Sequence, residues 1–193
     1  MSKTTLATHI PQQIVQPFDL CFSSGRGFVS AVIQDADMKL LTGSQFSHVA
    51  IALEYKGELY WYEALAEGVV RSPMSRYCDK WMVAENKIKG VALSRLTVPI
   101  REVPAKLILV KANSLVGKRY DYIGLVLFLW RLFMKLFSRE VDTPHTEDRW
   151  FCSELVADVL NAGGIKPVSQ LPQSTSPQDL FESEIVKQVY PRI

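Results

Sequence analysis

The sequence predicts an α+β fold in which an antiparallel sheet packs against one helix that begins at a cysteine. Three observations carry this reading. Ser47–Tyr55 and Glu58–Leu65 read as strands, and only Lys56-Gly57 separates them, the length of a tight hairpin turn. From Cys152 the apolar residues Leu155, Val156, Val159 and Leu160 recur at the spacing of one helix face, and Gly163-Gly164 ends the run. The chain has 193 residues, 48% of them hydrophobic, enough for one core.

The elements follow in order. Residues 1–16 read as a flexible polar arm, and 17–193 as a single domain with an apolar helical insertion near 123–137. A short strand is expected near Asp19–Phe22, then a Gly-Arg-Gly loop and a helix-like segment around Phe28–Leu41. "SSGRG" lacks the lysine of a phosphate-binding loop and is read as a turn. After the hairpin, Val91–Leu96 is a further strand candidate. Pro104 opens a helix that runs to about Val116 and stops at Gly117. Ser138–Asp148, with Pro144, reads as a loop ahead of the Cys152 helix. The tail from Lys166 begins as a Pro/Ser/Gln loop and ends in a short strand or helix.

Ile123–Phe137 is the most apolar run. It is short for a transmembrane helix and is broken by Arg131 and Lys135, which share a face. Two readings stand: a buried helix with one polar edge, or a lid that touches a membrane surface. The N-terminus has no continuous apolar core of a signal peptide, so a cytoplasmic location is expected, with export by another route left open.

Composition narrows the chemistry. A net charge of +2 gives no drive toward nucleic acid. The three cysteines and three histidines are scattered, with no Cys-x-x-Cys and no His-Glu-x-x-His. Neither a disulfide framework nor a metal site is expected, and no cofactor is implied.

The candidate nucleophile is Cys152. In the first turn of a helix, unpaired backbone N–H groups and the helix dipole favour a thiolate. Position alone leaves a second reading, a small buried hydrophobe. His48 lies in "FSHVAIAL", where His48, Ala50 and Ala52 share a strand face of small residues with room for something to approach. If Lys56-Gly57 is the turn, Tyr55 faces Glu58, Ala50 faces Glu63 and His48 faces Leu65. Glu63 then lies diagonally beside His48, roughly 7 Å away between backbones and within side-chain reach. A one-residue slip would move Glu63 to the other face. Taken singly, His48 reads equally as a half-buried histidine and Glu63 as a solvent-facing strand residue. Together with Cys152 they supply a thiol nucleophile, a base and a carboxylate that orients the base.

"GKRYDYIGLV…RWFCSELVADVLNAGGI" resembles the nucleophile segment of NlpC-type, papain-like cysteine hydrolases. The ordered set "FDLCF…SHVAIAL…YWYEALAEGVV…GKRYDY…FCSELV" is similar to their circularly permuted branch, the YiiX/YebB-like hydrolases, whose relatives include lecithin:retinol acyltransferase-like enzymes. The resemblance spans about Asp19 to Ile165 and implies a permuted papain-like fold. It implies Cys152 as nucleophile, His48 as base, Glu63 as the third polar residue, and Tyr120 beside the oxyanion site, with the Cys152 N–H as another donor. It departs from the family at Phe18, where glycine often precedes the aspartate of the first strand, and in the longer apolar stretch before Cys152. The expected activity is hydrolysis of an amide, such as one in a cell-wall peptide, through an acyl-enzyme. The alternatives are a lipid-directed acyl hydrolase or acyltransferase that uses Ile123–Phe137, and a binding module on the same fold.

Overall fold

A computed structural model describes residues 5–25, 45–99, 103–120 and 149–191. The expected Gly-Arg-Gly loop beyond Gly25, the helix around Phe28–Leu41, the apolar run Ile123–Phe137 and the loop Ser138–Asp148 lie outside the described residues.

Eight strands and five α-helices are described. In chain order they are β1 (Leu20–Gly25), β2 (His48–Tyr55), β3 (Glu58–Leu65), β4 (Gly68–Pro73), α1 (Ser75–Cys78), α2 (Lys80–Glu85), β5 (Ile88–Leu96), α3 (Ala105–Leu115), β6 (Arg119–Tyr120), β7 (Arg149–Trp150), α4 (Cys152–Ala162), α5 (Pro177–Phe181) and β8 (Val186–Tyr190). Six strands form one antiparallel sheet in the order β4-β3-β2-β1-β5-β8, and β6 pairs with β7 in a separate parallel ladder.

The β2–β3 hairpin has the register read from the sequence, with Tyr55 opposite Glu58 and Ile51 opposite Tyr62. Its turn residues, Lys56 (φ 53°) and Gly57 (φ 83°), are both left-handed, the conformation that matches the twist of the flanking strands. At Gly68 (φ 121°) a β-carbon would collide with the Lys118 carbonyl oxygen. Glycine therefore permits the contact by which Val69 N–H reaches that oxygen (2.9 Å), while Gly117 N–H reaches Val69 O (2.8 Å). These bonds place β6, and Tyr120 with it, against the edge of the sheet.

One face of the sheet holds α4. Val49, Ile51, Leu53 and Tyr62 share a core with Leu155, Val156, Val159 and Leu160, so the helical stripe read from the sequence is the buried one. α3 lies beside it, tied by Lys111 Nζ to Asp158 (2.7 Å), and the Tyr62 hydroxyl donates to Asn113 Oδ1 of α3 (2.8 Å).

The opposite face corrects an expectation. Ala50 and Ala52 leave no open approach there: Ile10, Val15, Met74 and Tyr77 pack over them together with Trp61. The small residues make room for protein. The segment expected as a flexible arm supplies part of this cover over its described residues. Ala7 bridges Val91, and Ile10 and Val15 are buried. Arg95 then clamps the segment, donating to both oxygens of buried Asp19 (2.8 Å each) and to the Ile14 carbonyl (3.0 Å). Phe18, at the position where glycine was expected, adopts φ 69°, the glycine-favoured region, while its ring is buried.

α1 and α2 were not expected from the sequence. Four and six residues are too few for a helical period to show, although Asp79 caps α2 by accepting from the Trp81 and Met82 N–H groups (2.8 and 3.0 Å). No helix among the described residues is long and apolar enough to cross a membrane.

Candidate active site

Cys152 is the first residue of α4. Phe151 precedes it in extended conformation (φ −108°, ψ 166°), and the Glu154 carboxylate accepts the Phe151 N–H (3.4 Å), which holds the turn that starts the helix. The next residue is a structural pin. The buried Ser153 hydroxyl donates to the Thr175 carbonyl (2.6 Å), anchoring the helix start to the C-terminal loop. β6 and β7 set the other side: Tyr120 pairs with Trp150, two residues before Cys152, and shares the core cluster of Phe151 and Cys152.

His48 opens β2, at the end of the sheet that the start of α4 overhangs. Its Nε2 lies 2.7 Å from Glu63 Oε2. The other ring nitrogen, Nδ1, is left for the Cys152 sulfur, to which the imidazole is hydrogen-bonded. The structure thus brings Cys152, His48 and Glu63 into one line, with the imidazole between sulfur and carboxylate. The diagonal relation derived from the hairpin is the one observed.

Exposure follows position. Cys152 is 4% exposed, the His48 side chain 17%, and the Glu63 side chain not at all. Burial pushes the Cys152 thiol up, but His48 and the backbone N–H groups of Val49 and Ser153 outweigh it and bring the thiol below its ordinary value. Burial pushes His48 down, but the Cys152 sulfur and Glu63 raise it to about 9. Both shifts run in the direction of a thiolate–imidazolium pair. Cys21 and Cys78 go the opposite way. Burial raises Cys21 well above its ordinary value and Cys78 to about 12.

Glu63 carries more partners than the sequence revealed. Tyr77 Oη donates to Oε2 (2.5 Å), Arg76 Nε stands 3.0 Å from Oε1, and the Ser72 hydroxyl also bonds the carboxylate. Burial raises the Glu63 pKa, yet His48, Arg76 and Ser72 together lower it below the ordinary carboxylate range. Arg76 and Tyr77 lie on α1, which no periodicity announced. The available signal was indirect: a buried carboxylate requires donors, and "SRY" follows β4 closely.

The pair has a signature in stability. The raised His48 pKa makes its contribution complete below its unfolded value of 6.5, and that contribution is lost as the pH rises through about 9. The lowered Cys152 pKa makes its contribution complete above 9.0, lost as the pH falls through the folded value. The stability difference between wild type and Cys152→Ser, measured as thermal midpoints, is therefore expected to change with pH, rising where the folded thiol ionises ahead of the unfolded one and falling where the unfolded imidazole loses its proton ahead of the folded one. A difference that is flat across the whole range would contradict the ion pair.

No family model matches the chain, and no curated protein matches it. Among solved structures, the crystal structure of metalloprotein yiiX from Escherichia coli O157:H7 (DUF1105) aligns with TM-score 0.61 at 21% identity, covering 90% of this chain and 96% of that one. The chain has a yiiX-like, papain-like α+β fold.

Proposed function

We propose that this chain is a papain-like cysteine hydrolase that cleaves an amide bond, in a peptide or cell-wall peptide, through a thioester acyl-enzyme. The observation that carries the reading is the continuous hydrogen-bonded line from the Cys152 sulfur through His48 to Glu63, with the thiol below and the imidazole above their ordinary values.

The steps follow from the geometry. The Cys152 thiolate attacks the carbonyl carbon, and the carbonyl electron pair moves onto oxygen. The backbone N–H of Cys152, in the first turn of α4, donates to that oxyanion, and Tyr120 shapes the same side of the site. The His48 imidazolium gives its proton to the leaving nitrogen as the C–N bond breaks and the thioester remains. Water then attacks the thioester. His48 takes the water proton, the carboxylic acid leaves, and the Cys152 thiolate and His48 imidazolium are restored. Glu63 holds the ring orientation and supports its positive charge throughout.

The name metalloprotein belongs to the yiiX structure, and the described residues around Cys152 are arranged as hydrogen-bonding partners of one another rather than as ligands of a metal. Ligands must converge on one point, whereas His48 offers its two nitrogens in opposite directions, one to sulfur and one to carboxylate. Among the described residues, no group of three or more His, Cys, Asp or Glu side chains is placed to hold a metal ion. No step is routed through one.

Iodoacetamide at mildly acidic pH is expected to label Cys152 well before Cys78 or Cys21, read by peptide mass spectrometry. Access alone predicts a different order, because Cys78 is more exposed than Cys152. Equal, slow labelling of all three would refute the reading. Peptidoglycan fragments and acyl lipids, offered in parallel to wild type and Cys152→Ala, then separate an amide substrate from a lipid acyl group.

A further inference from the structure

Glu63 is held far more tightly than the task of orienting one imidazole requires. Its Oε2 accepts from two donors at once, His48 Nε2 at 2.7 Å and Tyr77 Oη at 2.5 Å. Its Oε1 faces Arg76 Nε at 3.0 Å. Both new partners are themselves anchored. Tyr77 is 1% exposed and packs edge-on against Trp61, with ring centroids 5.6 Å apart. Arg76 Nη1 donates to Asn86 Oδ1 (3.0 Å), and Asn86 Nδ2 donates to the Met82 carbonyl (2.7 Å), so α2 fixes the guanidinium in place.

We propose that Tyr77 and Arg76 are positioning residues that limit how strongly Glu63 stabilises the His48 imidazolium, Tyr77 by sharing Oε2 with the imidazole and Arg76 by offsetting the carboxylate charge from Oε1. The inference rests on the reading of Cys152 and His48 as the catalytic pair.

The physical reason is competition for one acceptor. A carboxylate oxygen that already accepts a short hydroxyl bond has less charge to offer a second donor. An unrestrained buried carboxylate would bind the imidazolium so firmly that delivering its proton to a leaving nitrogen would be slow. Removing the carboxylate would leave the imidazole without a fixed orientation. Sharing Oε2 gives both firm orientation and a releasable proton. The ionisable groups arranged about His48 are Cys152 from α4 and Glu63 from β3; Glu63 in turn has Arg76 and Tyr77 from α1 and Cys21 from β1 about it, with Glu67 acting on Arg76 and Cys78 on Cys21. Burial and the nearby Glu63 carboxylate keep Cys21 and Tyr77 protonated, so Tyr77 serves as a donor over the whole working range.

The test is a proton NMR titration of His48 in the full chain, with wild type expected to titrate at about 9. Tyr77→Phe keeps the ring contact with Trp61 and removes the competing hydroxyl, and is expected to move the His48 midpoint upward. Arg76→Gln is expected to move it upward as well, and Arg76→Lys to restore it toward wild type. A merely structural role would lower the thermal midpoint without moving the titration. If Arg76→Gln does not fold, Tyr77→Phe decides alone. A wild-type midpoint near 9 that Tyr77→Phe leaves in place or lowers overturns this inference and spares the catalytic pair. A wild-type midpoint near the ordinary 6.5 that Cys152→Ser does not change overturns both.

Discussion

Alanine at His48 is expected to slow alkylation of Cys152 at mildly acidic pH by about tenfold or more, while leaving Cys21 and Cys78 at their wild-type rates. The reason lies in what remains around the sulfur. Burial opposes a thiolate at Cys152, and His48 is the largest influence in its favour. Without it, the N–H groups of Val49 and Ser153 are left to stabilise the anion, and each unit by which the thiol rises removes about nine-tenths of the thiolate present below its pKa. The comparison with Cys78 makes the result specific, since a general loosening of the fold would speed all three cysteines. An unchanged Cys152 rate would mean that the helix start alone activates the sulfur and that His48 is a bystander.

Glu63→Leu is expected to destabilise the fold by about 3–5 kcal/mol, the range for removing one partner of a buried charged group. Leucine would leave the Arg76 guanidinium, the Tyr77 hydroxyl and the His48 Nε2 facing apolar carbon, in a place where the native side chain is fully buried. Glu63→Gln keeps the shape and one acceptor, so a smaller loss is expected, together with a loss of turnover smaller than that of Cys152→Ala. Urea unfolding at neutral pH measures both. The pH dependence has a definite sign. Glu63 has a lowered pKa, so its contribution is complete above the ordinary value of 4.5 and disappears as the pH falls through the folded value. The gap between wild type and Glu63→Leu should therefore narrow in acid. A cost below about 1 kcal/mol at neutral pH would contradict the buried network described here.

Much of the site was legible because its parts are local. A two-residue turn sets the pairing of every residue pair along β2 and β3, so locating Lys56-Gly57 was enough to put Glu63 beside His48. A helix start needs only its apolar period and its end signal, which placed Cys152 in the first turn. The small α1 and α2 were not legible, and neither were the N-terminal cover or the separate β6–β7 ladder. Four- and six-residue helices show no period, and a two-residue ladder shows no alternation. The face of Ala50 and Ala52 was misread for a related reason. Small side chains reveal the size of the gap they leave, and Tyr77 and Ile10 that fill it come from elements remote in the chain.

The sequence by itself determined which side chains share a strand face and which residue opens the helix, because backbone periodicity and turn geometry act over a few neighbours. Only the tertiary structure decided that the helix start overhangs the first residue of β2, joining Cys152 to His48. It alone decided that α1 closes on Glu63 from the far face with Arg76 and Tyr77. Those contacts join elements far apart in the chain, and they are set by how the two cores pack on either side of one sheet, which no local pattern encodes.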